Sequence, residues 1–499
     1  MAIPRFIFTF VCLVSALPSA SDGVSPVASQ PSIFRAGAAT SNVTPPLGAT
    51  IGTGEERSKY IHDELLVRCL ALDDGRTRLV FAVVDNVSVP REVFDEAKRL
   101  VHRATGLPPE NMMMSATHSH SVPNARGADP VDWNTAMPAE AQAHLSSDRG
   151  GFSKPLHEYQ RFLVTRIADG IRRALNNLEP ARIGWGTGHL PQHVFNRRSL
   201  LKEGKSAPNP VGGQDRVVTN QRSHPDRLEP AGPTNPEVYF LSVQSASGRP
   251  IGLLANYWLH YVGGVGNGHM SADYFGAFAD RIQELLGADR QDPPFVGILA
   301  NGPCGDVNHS GYETKPPRKF GPYEMIRHVA NDLAQEVARA HRNIKYRDSV
   351  ELKAVQSEFV LTMRRASPQM LQRARQLLAK PASASPALSR DRDYAARTLG
   401  SEKWPPTASV PLQVFRIGEL AIAAIPFETF TETGLEIKAK SPFKDTFTIE
   451  LANGGYGYLP TPAQHELGGY ETWLGPSRFE KEASEKIIAK LLELFSQVK

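Results

Sequence analysis

Short apolar runs recur along this chain and stop abruptly at polar or small residues, while many of the stretches between them carry apolar positions three and four apart. The first pattern predicts strands and the second amphipathic helices. Residues 65–72 and 77–87 are apolar and β-branched on either side of Asp73-Asp74-Gly75, which predicts a hairpin. Val93, Ala97, Leu100 and Val101 place a helix over 90–104, closed by Gly106-Leu107-Pro108-Pro109. The run Met112-Met113-Met114-Ser115-Ala116 then reads as a buried strand.

The same reading gives helices over 157–178, 274–286, 323–344 and 480–498, with Ser271-Ala272-Asp273 as the cap of the second. Strands fall at 182–188, 237–243, 252–258, 295–300, 349–363, 411–415, 420–425 and 447–451, two pairs of them as hairpins. Residues 129–154 predict an irregular excursion, 202–236 a surface loop rich in Gly, Pro, Asn and charge, and 367–400 a polar helical stretch. The expected class is α/β: a mixed β-sheet core flanked by helices, in a single large catalytic domain. The hairpins exclude a regular barrel of alternating strands and helices.

The chain start changes the picture of compartment. Arg5 precedes the apolar run 6–17 and the small residues Ser19, Ala20 and Ser21, the layout of a secretory signal peptide over 1–21. Residues 22–33 predict a disordered lead and 34–499 the catalytic domain. A secreted or periplasmic protein follows, without a transmembrane segment once the signal is removed. Outside the signal stand two cysteines, Cys69 and Cys304, whose pairing the sequence leaves open. With 499 residues, 22% of them charged, and a net charge of +4 spread along the chain, nothing calls for a nucleic-acid partner. Gly266-Asn267-Gly268 lacks the lysine of a phosphate-binding loop.

Candidate chemistry gathers where strands end. The Met run ends in Thr117-His118-Ser119-His120, and two histidines two apart on a strand would share a face. The strand at 252–258 ends at His260, that at 295–300 at Asn301-Gly302-Pro303-Cys304-Gly305-Asp306, and that at 420–425 at Glu428. Two histidines and one glutamate make the ligand set of several catalytic zinc sites that keep a position open for water. Any one of these features alone is commonly a hydrogen-bonded turn.

Ser115-Ala116-Thr117-His118-Ser119-His120-Ser121, the strand ending at His260, Asn301-Gly302-Pro303-Cys304-Gly305-Asp306, Ile425-Pro426-Phe427-Glu428, and Gly457-Tyr458-Leu459-Pro460-Thr461 followed by Gly469-Tyr470-Glu471 together resemble the catalytic domain of neutral/alkaline non-lysosomal ceramidases. The resemblance runs in order over about 34–473. It implies zinc held by His118, His260, Glu428 and Tyr458. It implies His120, Arg198 and Tyr470 at the substrate amide, with Arg197 as the alternative to Arg198, and Asp306 and Asn308 at the substrate. The implied substrate is a small-molecule or lipid amide, ceramide or another N-acyl lipid, met at a peripheral membrane surface. The chain departs from the family pattern at Asn308, where a serine is usual, and in closing with a helix where full-length members continue into an immunoglobulin-like domain. A zinc hydrolase of another bond, such as an ester, and a non-catalytic metal-binding protein are the alternative readings.

Overall fold

The longest apolar runs pair into one large mixed sheet. Its strands are β1 (Arg35–Asn42), β2 (Leu66–Asp73), β3 (Arg78–Val84), β4 (Met112–Ala116), β5 (Glu179–His189), β6 (Glu237–Ser245), β7 (Pro250–Tyr257) and β8 (Val296–Asn301), in the order β8-β7-β6-β5-β1-β2-β3-β4. A second sheet holds β9 (Leu352–Thr362), β10 (Thr407–Ile417), β11 (Leu420–Ile425) and β12 (Asp445–Glu450), in chain order. The helices of ten residues or more are α1 (Arg91–Thr105), α2 (Glu158–Asn176), α3 (Asp273–Leu285), α4 (Glu324–His341), α5 (Pro368–Ala379), α6 (Pro386–Gly400), α7 (Thr431–Lys440) and α8 (Ala483–Val498). The computed structural model describes Met1 and residues 33–52, 56–132, 155–220, 224–310, 319–380 and 386–499. The signal-like stretch, nearly all of the lead that follows it and most of the excursion at 129–154 lie outside the described residues.

Strand alternation explains the layering. In β2, Val67, Cys69 and Ala71 face α1 and α2, while Leu70 and Leu72 face the second sheet. In β11, Ile422 and Ala424 meet the large sheet, and Ala421, Ala423 and Ile425 meet Ile487, Leu491 and Leu494 of α8. With α3 and α4 covering Phe240, Leu253 and Leu299, the molecule is layered helix, sheet, sheet, helix. Both faces of each sheet are buried over most of their area, which is why the strands read as nearly continuous apolar runs. The mixed-sheet core and flanking helices expected from the sequence are present, and the second sheet is an addition. It went unread because strands at 349–363, 411–425 and 447–451 look alike whether they extend one sheet or found another.

Within these two sheets three strand pairs are parallel: β3 with β4, β7 with β8, and β11 with β12. Each is joined by one crossover helix, α1, α3 and α7 in turn. The loops leaving the carboxyl ends of such strands form the natural crevice of an α/β fold. Strands β1 and β5 pair only at Arg35↔Pro180 and Ala36↔Glu179. Beyond that narrow seam the halves of the large sheet splay, and β8 packs back toward β3 and β4. Asn301 Nδ2 then donates to Thr117 O at 2.7 Å, tying the ends of β8 and β4 together.

The expected cap of α3 is present: Ser271 Oγ accepts from the Asp273 N–H at 3.1 Å, and the Asp273 carboxylate accepts from the N–H groups of Val262, Gly263 and Tyr274. One local expectation is corrected. Residues 202–236 are more than a loop. Val217–Thr219 and Arg227–Pro230 flank Arg198–Leu201 in a three-stranded sheet, with Val217 and Val218 buried. Cys69 and Cys304 are both free and buried.

Candidate metal and catalytic site

His118 is positioned by strain and by two carbonyls. The strand ends at Ala116, so His118 and His120 lie beyond it, and they converge through a turn in which His118 takes φ 61°. That left-handed conformation is uncommon outside glycine and persists where surrounding bonds hold it. Here the His118 N–H donates to Asn86 O at 3.0 Å. Its Nδ1 donates to Val87 O at 2.6 Å, which turns Nε2 into the site.

His260 follows Trp258 and Leu259 off β7 and is oriented the same way, Nδ1 to Cys304 O at 3.3 Å. Glu428 arrives from the second sheet. Glu428–Thr429 pairs in parallel with Tyr458–Leu459, and the register sets Glu428 directly beside Tyr458. His118 Nε2 lies 3.3 Å and His260 Nε2 4.0 Å from Glu428 Oε2, and His120 Nε2 lies 3.2 Å from His118 Nε2. Bonds of about 2.0–2.1 Å in a tetrahedral zinc site put neighbouring ligand atoms about 3.3 Å apart. The spacing fits.

The electrostatics point the same way. Glu428 Oε2 is buried with no hydrogen-bond donor, among imidazoles whose protons are turned outward. Burial lowers the pKa of His260 well below its ordinary value, with Arg197 and His118 adding to the effect. Burial, with His118 next, takes His120 down to about 3, so its imidazole is neutral at physiological pH. Burial by itself would raise Glu428, but His118, the Tyr458 hydroxyl and Arg197 outweigh it and hold the carboxyl at about 2. A buried carboxylate with imidazole nitrogens converging on it forms a cradle for a cation. Tyr458 completes the set: its hydroxyl hydrogen-bonds Glu428 and accepts from Arg197 Nη2 at 3.0 Å.

The adjacent arginines divide their work. Arg197 reaches Tyr458 and, through Nε at 2.9 Å, Glu471 Oε1. Arg198 does not join the cluster. It is fully buried and donates to Glu471 Oε2 at 2.7 Å, Gly468 O at 2.7 Å and Gln464 Oε1 at 3.2 Å, with its guanidinium over Phe430. The guanidinium nearest the histidines is therefore that of Arg197, and Arg198 clamps the loop that carries Tyr470. Tyr470 packs edge-on against Tyr458 with ring centroids 5.5 Å apart. His120 stacks on Tyr261 at 3.8 Å.

Asp306 is buried and its carboxylate is fully engaged, Oδ1 accepting from Thr431 N and Oγ1 and Oδ2 from Asn196 Nδ2. It shapes the loop before Arg197 without facing the cluster. Burial raises its pKa to about 6. Asn308 donates to Asn220 Oδ1 at 2.5 Å. Asn220 in turn lines a cavity of about 400 Å³ together with Val217, Thr219, Tyr394, Tyr470 and Trp473. That cavity adjoins the cluster through Tyr470.

Sequence reasoning did not find three supporting residues. Asn86, whose carbonyl holds His118, closes an apolar strand as many turn residues do. Glu471 divides its oxygens between two arginines. Glu450 accepts from Thr429 N at 2.7 Å and from Cys304 Sγ at 3.0 Å, behind the two strand ends that carry Glu428 and His260. An acidic residue closing the β-branched and aromatic run Thr446-Phe447-Thr448-Ile449 was the available signal.

No protein-family model matches the sequence, and no curated protein matches it. Solved structures do match by fold. A crystal structure of neutral ceramidase from Pseudomonas aeruginosa superposes with a TM-score of 0.66 at 17% identity, covering 93% of this chain and 75% of that one. A ceramidase complexed with C2 gives 0.65 at 16%, with the same coverages. The chain has the fold of the neutral ceramidases. Among the described residues no helix is long and apolar enough to cross a membrane.

Proposed function

We propose that this protein is a secreted or periplasmic zinc amidohydrolase that cleaves the N-acyl amide of ceramide or a related N-acyl lipid. The observation that carries the reading is the convergence of His118 Nε2, His260 Nε2 and the unpartnered Glu428 Oε2 at zinc-ligand spacing, in the fold that neutral ceramidases share. His118, His260, Glu428 and Tyr458 would hold the ion. Zinc in that position would polarise the amide carbonyl and bring the pKa of a water from about 16 towards 7.

The chain's own residues do the rest. Arg197 and Tyr470 stand on the Tyr458 side of the cluster and present N–H and O–H donors to the carbonyl oxygen as it gains charge. His120 is neutral at physiological pH and adjoins the ligands, so its Nε2 accepts a proton from the attacking water and returns it to the leaving amine. The cavity beside Tyr470 takes part of the substrate, and Asn220, held by Asn308, sets its polar wall. A lipid substrate would be met at a membrane surface, by peripheral contact.

The test is zinc analysis of the purified protein with hydrolysis of N-acyl sphingosine and of an ester of equal chain length. One catalytic zinc and faster amide cleavage are expected. Cleavage of the ester alone would move the protein to another bond class, and zinc with no hydrolysis of either would make it a metal-binding protein.

A further inference from the structure

A second group of metal-ligating side chains lies apart from this site. His328 and Asp332 stand one turn apart on α4 and so share a face. His193 reaches them from the short helical turn Pro191–His193, which follows β5. His193 Nε2 is 2.9 Å and His328 Nδ1 3.8 Å from the same oxygen, Asp332 Oδ2. One ligand atom from each residue lies within 4.8 Å of the other two.

The imidazoles meet edge to face with centroids 5.2 Å apart, and Phe320 stacks against His328. His193 is buried and His328 is exposed, so the group opens to solvent on one side. A hydrogen bond from His193 to Asp332 needs no second imidazole on the same carboxylate oxygen. A chelate does.

We propose that His193, His328 and Asp332 bind a second divalent transition-metal ion, zinc or one of similar preference, with water completing the shell. Two imidazoles and one carboxylate suit such ions better than calcium or magnesium, which prefer all-oxygen shells. Closing the ligand atoms to about 3.3 Å requires rotation of the exposed His328 side chain, the least constrained of the three. The bound ion would join α4 to the segment after β5. Four residues beyond His193 that segment carries Arg197, so the second ion would brace the backbone from which Arg197 reaches Tyr458. The site stands independently of the proposed hydrolase activity.

Zinc titration of the intact, chelator-stripped protein by calorimetry tests this, with His328→Ala, Asp332→Asn and His260→Ala alongside. The wild type should take two zinc ions per chain, and each variant one. His328 is exposed, so its replacement is expected to leave the fold intact, and Asp332→Asn provides the second reading if it does not. Uptake by the wild type that neither His328→Ala nor Asp332→Asn reduces would overturn the proposal. Zinc retained by His260→Ala but absent from the double variant His260→Ala/His328→Ala would locate the second ion directly.

Discussion

Two adjacent arginines with opposite fates show how much the site depends on single residues. Arg198 opens the short strand Arg198–Leu201, and neighbours along an extended chain point to opposite sides. One guanidinium therefore enters the cluster and the other enters the packing behind it. The sequence Phe195-Asn196-Arg197-Arg198-Ser199 shows the pair but not its phase, because a one-residue shift in register exchanges the two sides. Glu471 fixes that phase by taking Arg197 on one oxygen and Arg198 on the other. Arg197→Ala should lower kcat about 100-fold to 1000-fold with zinc content unchanged, the typical loss for one donor to a developing oxyanion. Arg198→Ala should instead destabilise the fold by about 3–5 kcal/mol, because it takes one of two cations from a fully buried carboxylate, leaving it Arg197 and Thr219. Urea midpoints beside kinetics separate the two cases. If Arg198→Ala were fully stable and slow while Arg197→Ala kept its rate, the assignment would have to be exchanged. Glu428→Gln removes the charge that the imidazoles face, so it should abolish zinc uptake at the main site, read as metal content per chain.

At the scale of elements, the strand ends were legible because apolar runs stop sharply where a buried strand meets a polar loop. His118, His260 and Glu428 all sit at such stops, and the structure brings them together. What could not be read is which ends meet. The narrow seam between β1 and β5, the splay of the large sheet and the parallel register of Glu428 with Tyr458 join residues far apart in sequence. No local pattern encodes them. The contact of α1 with β9 offers a further check on packing: Lys98 is buried there, with Nζ donating to Gln356 Oε1 at 3.2 Å. Burial lowers its pKa to about 7. Between that value and its unfolded value of about 10.4 the unfolded chain binds more protons than the folded one, so stability should rise with pH through this window. The slope from one such group is at most about 1.4 kcal/mol per pH unit. Lys98→Met should flatten this rise and stabilise the protein more at pH 7 than at pH 10, measured by urea unfolding at both. Equal gains at the two pH values would mean that Lys98 is charged, or neutral, in both states throughout.

The described residues from Ile33 to Lys499 are built on two sheets packed face to face with helices outside, and the candidate metal site lies at their common edge. His118 and His260 follow strands of the large sheet, and Glu428 and Tyr458 face each other in a separate two-stranded pairing beyond strands of the smaller sheet. An ion bound there would crosslink the two layers through residues contributed by both, so its removal should reach beyond the site. A ligand that binds only the folded state stabilises it by about 4 kcal/mol when present at a thousand times its dissociation constant. Stripping zinc with a chelator should therefore lower the Tm of the wild type as one cooperative transition, and zinc should restore it. In His260→Ala, which leaves one layer's contribution incomplete, the chelator should have little effect on Tm beyond what the second group at His193 supplies. His260→Ala/His328→Ala removes that remainder and should be insensitive to chelator altogether. A chelator-induced fall in Tm as large in the double variant as in the wild type would mean that the stabilising ion sits elsewhere, and that the edge between the sheets is held by packing and hydrogen bonds alone.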